Sequence, residues 1–120
     1  MIETHGLNHI SLSVRDPEVS LSFYTRLFGV REYHREGDVI QALGPGPHDV
    51  IVFERRERHG ERGGIDHFGF RLTDPADIDD AIVQARDAGA KILRHGEFGP
   101  GLPYLYIEDP DGYEIEIWYE

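Results

Sequence analysis

A chain of 120 residues with 39% apolar side chains can build one compact domain around a small core. Its 23 acidic and 12 basic side chains leave a formal charge of −11, which argues against nucleic acid and anionic membrane surfaces, since both require a basic footprint. The absence of cysteine excludes disulfides, thiolate metal sites and cysteine nucleophiles.

No apolar run approaches the ~20 residues needed to span a bilayer. The opening Met1-Ile2-Glu3-Thr4-His5 has neither the basic start nor the apolar stretch of a signal peptide, so a cytoplasmic protein is expected. The first element is an alternating strand in which Ile10, Leu12 and Val14 face one way and His9, Ser11 and Ser13 the other. Asp16 and Pro17 then read as the cap and first position of a helix that stops at Gly29. Strands are predicted at about 31–36, 39–43 and 50–54. The charged, glycine-bearing stretch at about 54–64 reads as a solvated linker.

After it the plan repeats. Gly6-Leu7-Asn8-His9-Ile10-Ser11-Leu12-Ser13-Val14-Arg15-Asp16-Pro17 recurs as Gly64-Ile65-Asp66-His67-Phe68-Gly69-Phe70-Arg71-Leu72-Thr73-Asp74-Pro75, each residue displaced by 58. Asp74 and Pro75 open the second helix, Gly89 ends it, and strands follow at about 91–95, 104–108 and 113–119. The expected fold is α+β, made of two tandem βαβββ modules at about 5–55 and 64–120, whose strands form a curved, cup-like mixed sheet with the helices outside.

The last hairpin fixes a geometry. Leu105 and Ile107 alternate with Tyr104, Tyr106 and Glu108, and Ile115 and Ile117 alternate with Glu114, Glu116 and Trp118. Turning both apolar pairs to one helix layer pairs Ile107 with Ile115 and Leu105 with Ile117, which sets Tyr106 opposite Glu116 on the other face. A slip of one residue would bury Glu116 against the helix. His9 and His67 taken singly are ordinary strand histidines. Their identical place in the repeat, together with Glu116, makes them candidate ligands of a divalent metal. Glu114, on the same strand face as Glu116, is the rival carboxylate.

The Asn8-to-Pro17 opening, the Leu21-Ser22-Phe23-Tyr24 helix and the Asp109-Pro110-Asp111-Gly112 loop before Glu116 resemble the vicinal oxygen chelate superfamily. That group includes glyoxalase I, methylmalonyl-CoA epimerase, fosfomycin-resistance thiol transferases, bleomycin-binding proteins and extradiol ring-cleaving dioxygenases. Within it the chain looks most like the catalytic domain of catechol extradiol dioxygenases. That resemblance implies metal ligands at His9, His67 and Glu116. It implies acid–base histidines at His48, in His48-Asp49-Val50, or at His95, in Arg94-His95-Gly96, and a hydrogen-bonding tyrosine at Tyr106. Two departures stand out: the stretch from His95 to Tyr106 is longer than the family pattern, and the extra N-terminal domain of the two-domain dioxygenases has no counterpart.

The implied function is that of a metal-dependent enzyme, an Fe(II) extradiol-type dioxygenase acting on a catechol-like small molecule, with Mn, Ni, Co or Zn as other possible metals. A two-histidine, one-carboxylate set leaves adjacent positions open for a chelating substrate and O₂. Glyoxalase I and the epimerase draw a fourth ligand from the last strand of the first half. Here Val50-Ile51-Val52-Phe53 offers none before Glu54, which counts against a glyoxalase-like lyase or isomerase. A thiol transferase of the fosfomycin type would need cationic groups, and a non-catalytic drug-binding protein would need no metal. A small core under a large sheet gains from pairing, so a homodimer is expected.

Overall fold

The computed structural model describes the chain apart from Ile2, Thr4, Gly6 and Glu120. Gly6, where the first repeat begins, and Glu120 therefore lie outside the described residues. The chain divides into two compact units, Met1–His59 and Gly60–Glu120.

The first unit runs β1 (His9–Val14), α1 (Pro17–Phe28), β2 (Arg31–Glu36), β3 (Val39–Leu43) and β4 (Val50–Arg55). Its four strands lie in the order β1-β4-β3-β2, with β1 parallel to β4 and the other pairs antiparallel. Asp16 caps α1, its side chain accepting from the Glu18 amide, and Gly29 closes it with a φ of 66°. A side chain with a Cβ is disfavoured in that left-handed conformation, which is why the helix stops there. Tyr24, fully buried on α1, packs its ring 5.1 Å from that of Phe53 on β4 and ties helix to sheet.

The second unit repeats this as β5 (Phe68–Arg71), α2 (Ile78–Asp87), β6 (Lys91–Glu97), β7 (Pro103–Glu108) and β8 (Glu114–Trp118), in the order β5-β8-β7-β6. Here the cap differs from expectation. Asp74 accepts from the Ala76 amide but opens a single 3₁₀ turn, Pro75–Asp77, and the α-helix starts only at Ile78. The α2 residues Ile82 and Ala85 and the strand residues Leu105, Ile107, Ile115 and Ile117 form the buried layer. Both units are α+β with a four-stranded mixed sheet. Among the described residues no helix is long and apolar enough to cross a membrane.

The duplication extends to an irregularity. Each unit carries a register shift between its second and third strands, at Tyr33 in the first and Leu93 in the second. A bulge of this kind inserts one unpaired residue and turns the following side chains to the opposite face. Its consequence in the second unit decides which residue reaches the candidate site.

Candidate metal centre

Glu116 lies at the middle of β8, and the β7–β8 loop sets where it points. The Asp109 side chain accepts from the Asp111 and Tyr113 amides, both at 2.9 Å, while the Asp109 amide donates to the Tyr113 carbonyl. That closed loop holds the register Ile107↔Ile115, Tyr106↔Glu116, Leu105↔Ile117. Leucine and isoleucines go to the core and the phenol meets the carboxylate. The Tyr106 hydroxyl donates to Glu116 Oε1 at 2.7 Å.

The other oxygen of Glu116, Oε2, stands 3.1 Å from His67 Nε2, with the Glu116 side chain 12% and the His67 side chain 30% exposed. Gly69 pairs with Glu116, and a Cβ there would come to 3.0 Å from the Glu116 backbone carbonyl oxygen. On the far side of the imidazole, His67 Nδ1 lies 2.7 Å from Asp66 Oδ2. An Nδ1–H donated to Asp66 leaves the Nε2 lone pair facing a carboxylate oxygen. Two acceptors at that distance require a cation between them, either a second ring proton or a metal ion. A carboxylate behind a ligating histidine is the usual orienting partner in metal sites. The pair therefore offers one nitrogen and one oxygen that fit a divalent cation.

The first unit carries the same device. His9 Nδ1 lies 2.8 Å from Asn8 Oδ1. The residue before each repeated histidine thus fixes its ring, with an amide in one half and a carboxylate in the other. Among the described residues no group of three or more His, Asp or Glu side chains is gathered to hold a metal. His67 and Glu116 are brought together within the second unit, and His9 belongs to the first. His48 is exposed in the turn that leads into β4, two residues before Val50, the strand partner of His9.

His95 is not brought to this face. It pairs with Leu105, whose side chain is fully buried in the core layer, whereas Arg94 pairs with Tyr106. The bulge at Leu93 is the reason. An unbroken count from the Ile92–Ile107 pair would put His95 across from Tyr104, on the face of Tyr106 and Glu116. The extra residue moves it off and brings Arg94 in. The Arg94 guanidinium lies 3.9 Å from the centre of the Tyr106 ring. It also donates to Glu114 Oε1 at 2.8 Å, while Arg62 donates to Glu114 Oε2 at 2.7 Å and to the Asp66 carbonyl at 3.1 Å. Glu114 thus has both oxygens taken by guanidinium groups, which separates it from Glu116 as a ligand candidate. Arg62, in the stretch read as a solvated linker, pins that stretch beside the residue that orients His67.

The second unit sets the electrostatics. Its hydrogen bond with His67 holds the Asp66 carboxyl below its ordinary value. Pairing with Glu114 raises the Arg94 guanidinium. The Tyr106 phenol is pushed up to about 12, first by burial and then by the bond to Glu116, against the opposing pull of Arg94. Because the folded value lies above the ordinary 10.0, the stability this phenol contributes is whole below pH 10. It is lost as the pH rises toward about 12. An absorbance titration of the metal-free protein should show a tyrosine step in that high range that Tyr106→Phe removes. A high-range titration that Tyr106→Phe leaves unchanged would contradict the raised phenol.

In the first unit the same register carries different side chains. Ser11 pairs with Val52 as Gly69 pairs with Glu116, and Gln41 pairs with Val52 as Tyr106 pairs with Glu116. The place equivalent to Glu116 is therefore valine. Glu54, two residues on, is held by Ser11 Oγ at 2.9 Å and by Arg56. Only one carboxylate stands at that position of the repeat.

The sequence model of the Glyoxalase/Bleomycin resistance protein/Dioxygenase superfamily matches residues 6–117. The chain belongs to that superfamily. Among curated members, a manganese-dependent 2,3-dihydroxybiphenyl 1,2-dioxygenase of Geobacillus genomosp. 3 is 28% identical over 98% of this chain and 38% of its own length. A chloroplastic protein of Arabidopsis thaliana described as a probable lactoylglutathione lyase is 31% identical over 91% of this chain and 34% of its own. The chain thus spans little more than a third of either relative. Among solved structures, a variant of the fosfomycin resistance protein FosX of Listeria monocytogenes, complexed with Mn(II) and 1S,2S-dihydroxypropylphosphonic acid, superposes with a TM-score of 0.81 at 21% identity. That superposition covers 96% of this chain and 90% of the other. The superfamily thus includes enzymes and members that take a divalent metal.

Proposed function

We propose that the chain is a metal-dependent enzyme of the extradiol dioxygenase type, acting on a catechol-like small molecule. The observation that carries this reading is Glu116, held by the Tyr106 hydroxyl on one oxygen and faced on the other by an imidazole that Asp66 orients. His67, Glu116 and His9 would hold the cation. When bound, the cation supplies a Lewis-acid and redox centre that a substrate with two neighbouring oxygens can chelate.

The chain's own groups divide the remaining work. Asp66 and Asn8 keep the Nε2 atoms of His67 and His9 as the donors. Tyr106 stays protonated across the physiological range, so its one O–H serves as a hydrogen-bond donor, to the Glu116 carboxylate or in its place to a substrate oxygen, and not as a base. Arg94 holds that ring from its face. His48 remains the candidate for accepting and returning a proton, and His95, exposed but paired with Leu105 where Arg94 pairs with Tyr106, drops out of that role. Val52 in the place equivalent to Glu116 supports a three-ligand set over the four-ligand lyase and isomerase. The dioxygenase relative is manganese-dependent, so Mn(II) stands beside Fe(II) as the metal to test.

The test is oxygen uptake by protein reconstituted anaerobically with Fe(II) or Mn(II) and given a panel of catechols. The expected result is uptake with a coloured ring-opened product. No uptake by a stoichiometrically loaded protein would overturn the dioxygenase reading. A second reading has its own observation: Arg62 and Arg94 both lie at the site in the second unit, with Glu114 as their only shared carboxylate. These guanidinium groups are the cationic groups that an anionic substrate would need. This second reading predicts turnover without O₂, as in a thiol transfer to a phosphonate-bearing compound.

A further inference from the structure

Glu114 is a carboxylate that the proposed chemistry leaves without a role. It lies two residues before Glu116 on β8, and its side chain is only 10% exposed. Taking a carboxylate out of water commonly costs as much as an ion pair returns, so stability alone is a weak reason to keep one there. Nor does the fold ask for a charge at this position. Glu108 pairs with Glu114 as Leu43 pairs with Val50, so the first unit seats a valine in the equivalent place.

Each guanidinium on Glu114 also reaches a residue that holds a candidate ligand. Arg62 Nη1 donates to Glu114 Oε2 at 2.7 Å and to the Asp66 carbonyl at 3.1 Å. Asp66 is the residue whose side chain faces His67 Nδ1. Arg94 Nη2 donates to Glu114 Oε1 at 2.8 Å, and the same guanidinium lies 3.9 Å from the centre of the Tyr106 ring. Tyr106 is the donor to Glu116. Arginine suits both arms, since its flat group donates in several directions and stacks on an aromatic face. The stretch that carries Arg62 is itself seated. The Ile65 amide donates to the Arg62 carbonyl at 2.9 Å. Gly60, at a φ of 69°, runs so close to the β7–β8 loop that a Cβ would come to 2.3 Å from the Asp111 carbonyl oxygen. One buried carboxylate thus joins the residue behind His67 to the residue beside Glu116.

We propose that Glu114 is a positioning residue which, through Arg62 and Arg94, sets Asp66 against His67 and Tyr106 against Glu116, and so prepares both ligands for the cation. The inference rests on the reading of His67 and Glu116 as metal ligands and adds the group that aligns them. Glu114 itself touches neither metal nor substrate.

The test is calorimetric titration of the full chain with Mn(II), and anaerobically with Fe(II), with no substrate present. Glu114→Gln keeps the shape of the side chain and one acceptor oxygen. Arg62→Gln alters a side chain that is 44% exposed, so it should fold and can carry the test by itself. Partners behind metal ligands are worth about 10–100-fold in affinity, and each variant should bind the metal about tenfold more weakly than the parent. The two variants change the charge in opposite senses. A through-space effect on a dication would weaken binding in Glu114→Gln but tighten it in Arg62→Gln. Tighter or unchanged binding in Arg62→Gln therefore overturns the proposal. In protein carrying Asp66→Ala and Tyr106→Phe, both targets of the clamp are gone, and adding Glu114→Gln should cost about twofold or less. An undiminished loss in that background also overturns the positioning role. So does a Glu114→Gln protein that unfolds at lower urea yet binds the metal like the parent, which is the mark of a purely structural residue. Failure of the parent to bind either metal overturns the ligand reading and the positioning role with it.

Discussion

Glu116→Ala should leave a folded protein that has lost its divalent metal. The carboxylate is the one acidic side chain at this position of the repeat, and its loss removes a ligand outright. Loss of a mere orienting partner behind a ligand already costs about 10–100-fold in metal affinity, so the loss expected here exceeds about 100-fold. Calorimetric titration with Mn(II) or Fe(II) checks it. The variant also frees Tyr106, whose hydroxyl loses its acceptor. With that cause gone the phenol should ionise at a lower pH than the about 12 of the parent, though burial still holds it up. Metal affinity that persists in Glu116→Ala would remove Glu116 from the ligand set. The guanidinium groups on Glu114 make that residue a poor substitute.

Much of this is legible in the sequence because two signals reinforce one another. The repeat marks His9 and His67 as a pair, and the alternation of apolar residues in the last hairpin has a single register that keeps carboxylates out of the core. The observed pairing of Tyr106 with Glu116 follows from that register. The βαβββ order is read from the same alternation and from the Asp-Pro and glycine boundaries. Where the reading departs from the structure, the cause is local backbone geometry that composition does not encode. The bulge at Leu93 exchanges His95 for Arg94, and nothing in Lys91-Ile92-Leu93-Arg94-His95-Gly96 announces it. A signal did exist: the helix-end glycines, Gly29 and Gly89, are displaced by 60 where the strand histidines are displaced by 58, and the two bulges follow the larger displacement. Asp66 and Asn8 also stood at matching places in the repeat. Their role is visible only once the rings are seen to turn Nδ1 toward them.

Ile115→Ala is the counterpart of Glu116→Ala, one residue away on the opposite face. Ile115 is fully buried, between Phe68 on β5 and Ile107 on β7. Truncating it leaves a cavity under the centre of the sheet and should cost about 2–5 kcal/mol. That is a large share of the about 5–15 kcal/mol by which domains are usually stable. Urea unfolding followed by Trp118, the single tryptophan and a residue of the same strand, should show a lower midpoint with an unchanged slope. The two variants should part company when metal is added. A ligand that binds only the folded state stabilises it by an amount set by its concentration over its dissociation constant. Ile115→Ala keeps Glu116 and His67, so Mn(II) should raise its midpoint as it does that of the parent. Glu116→Ala, with its core intact, should start near the parent's midpoint and gain nothing from the metal. If Mn(II) instead stabilised both variants alike, the cation would be held by groups other than the β8 carboxylate.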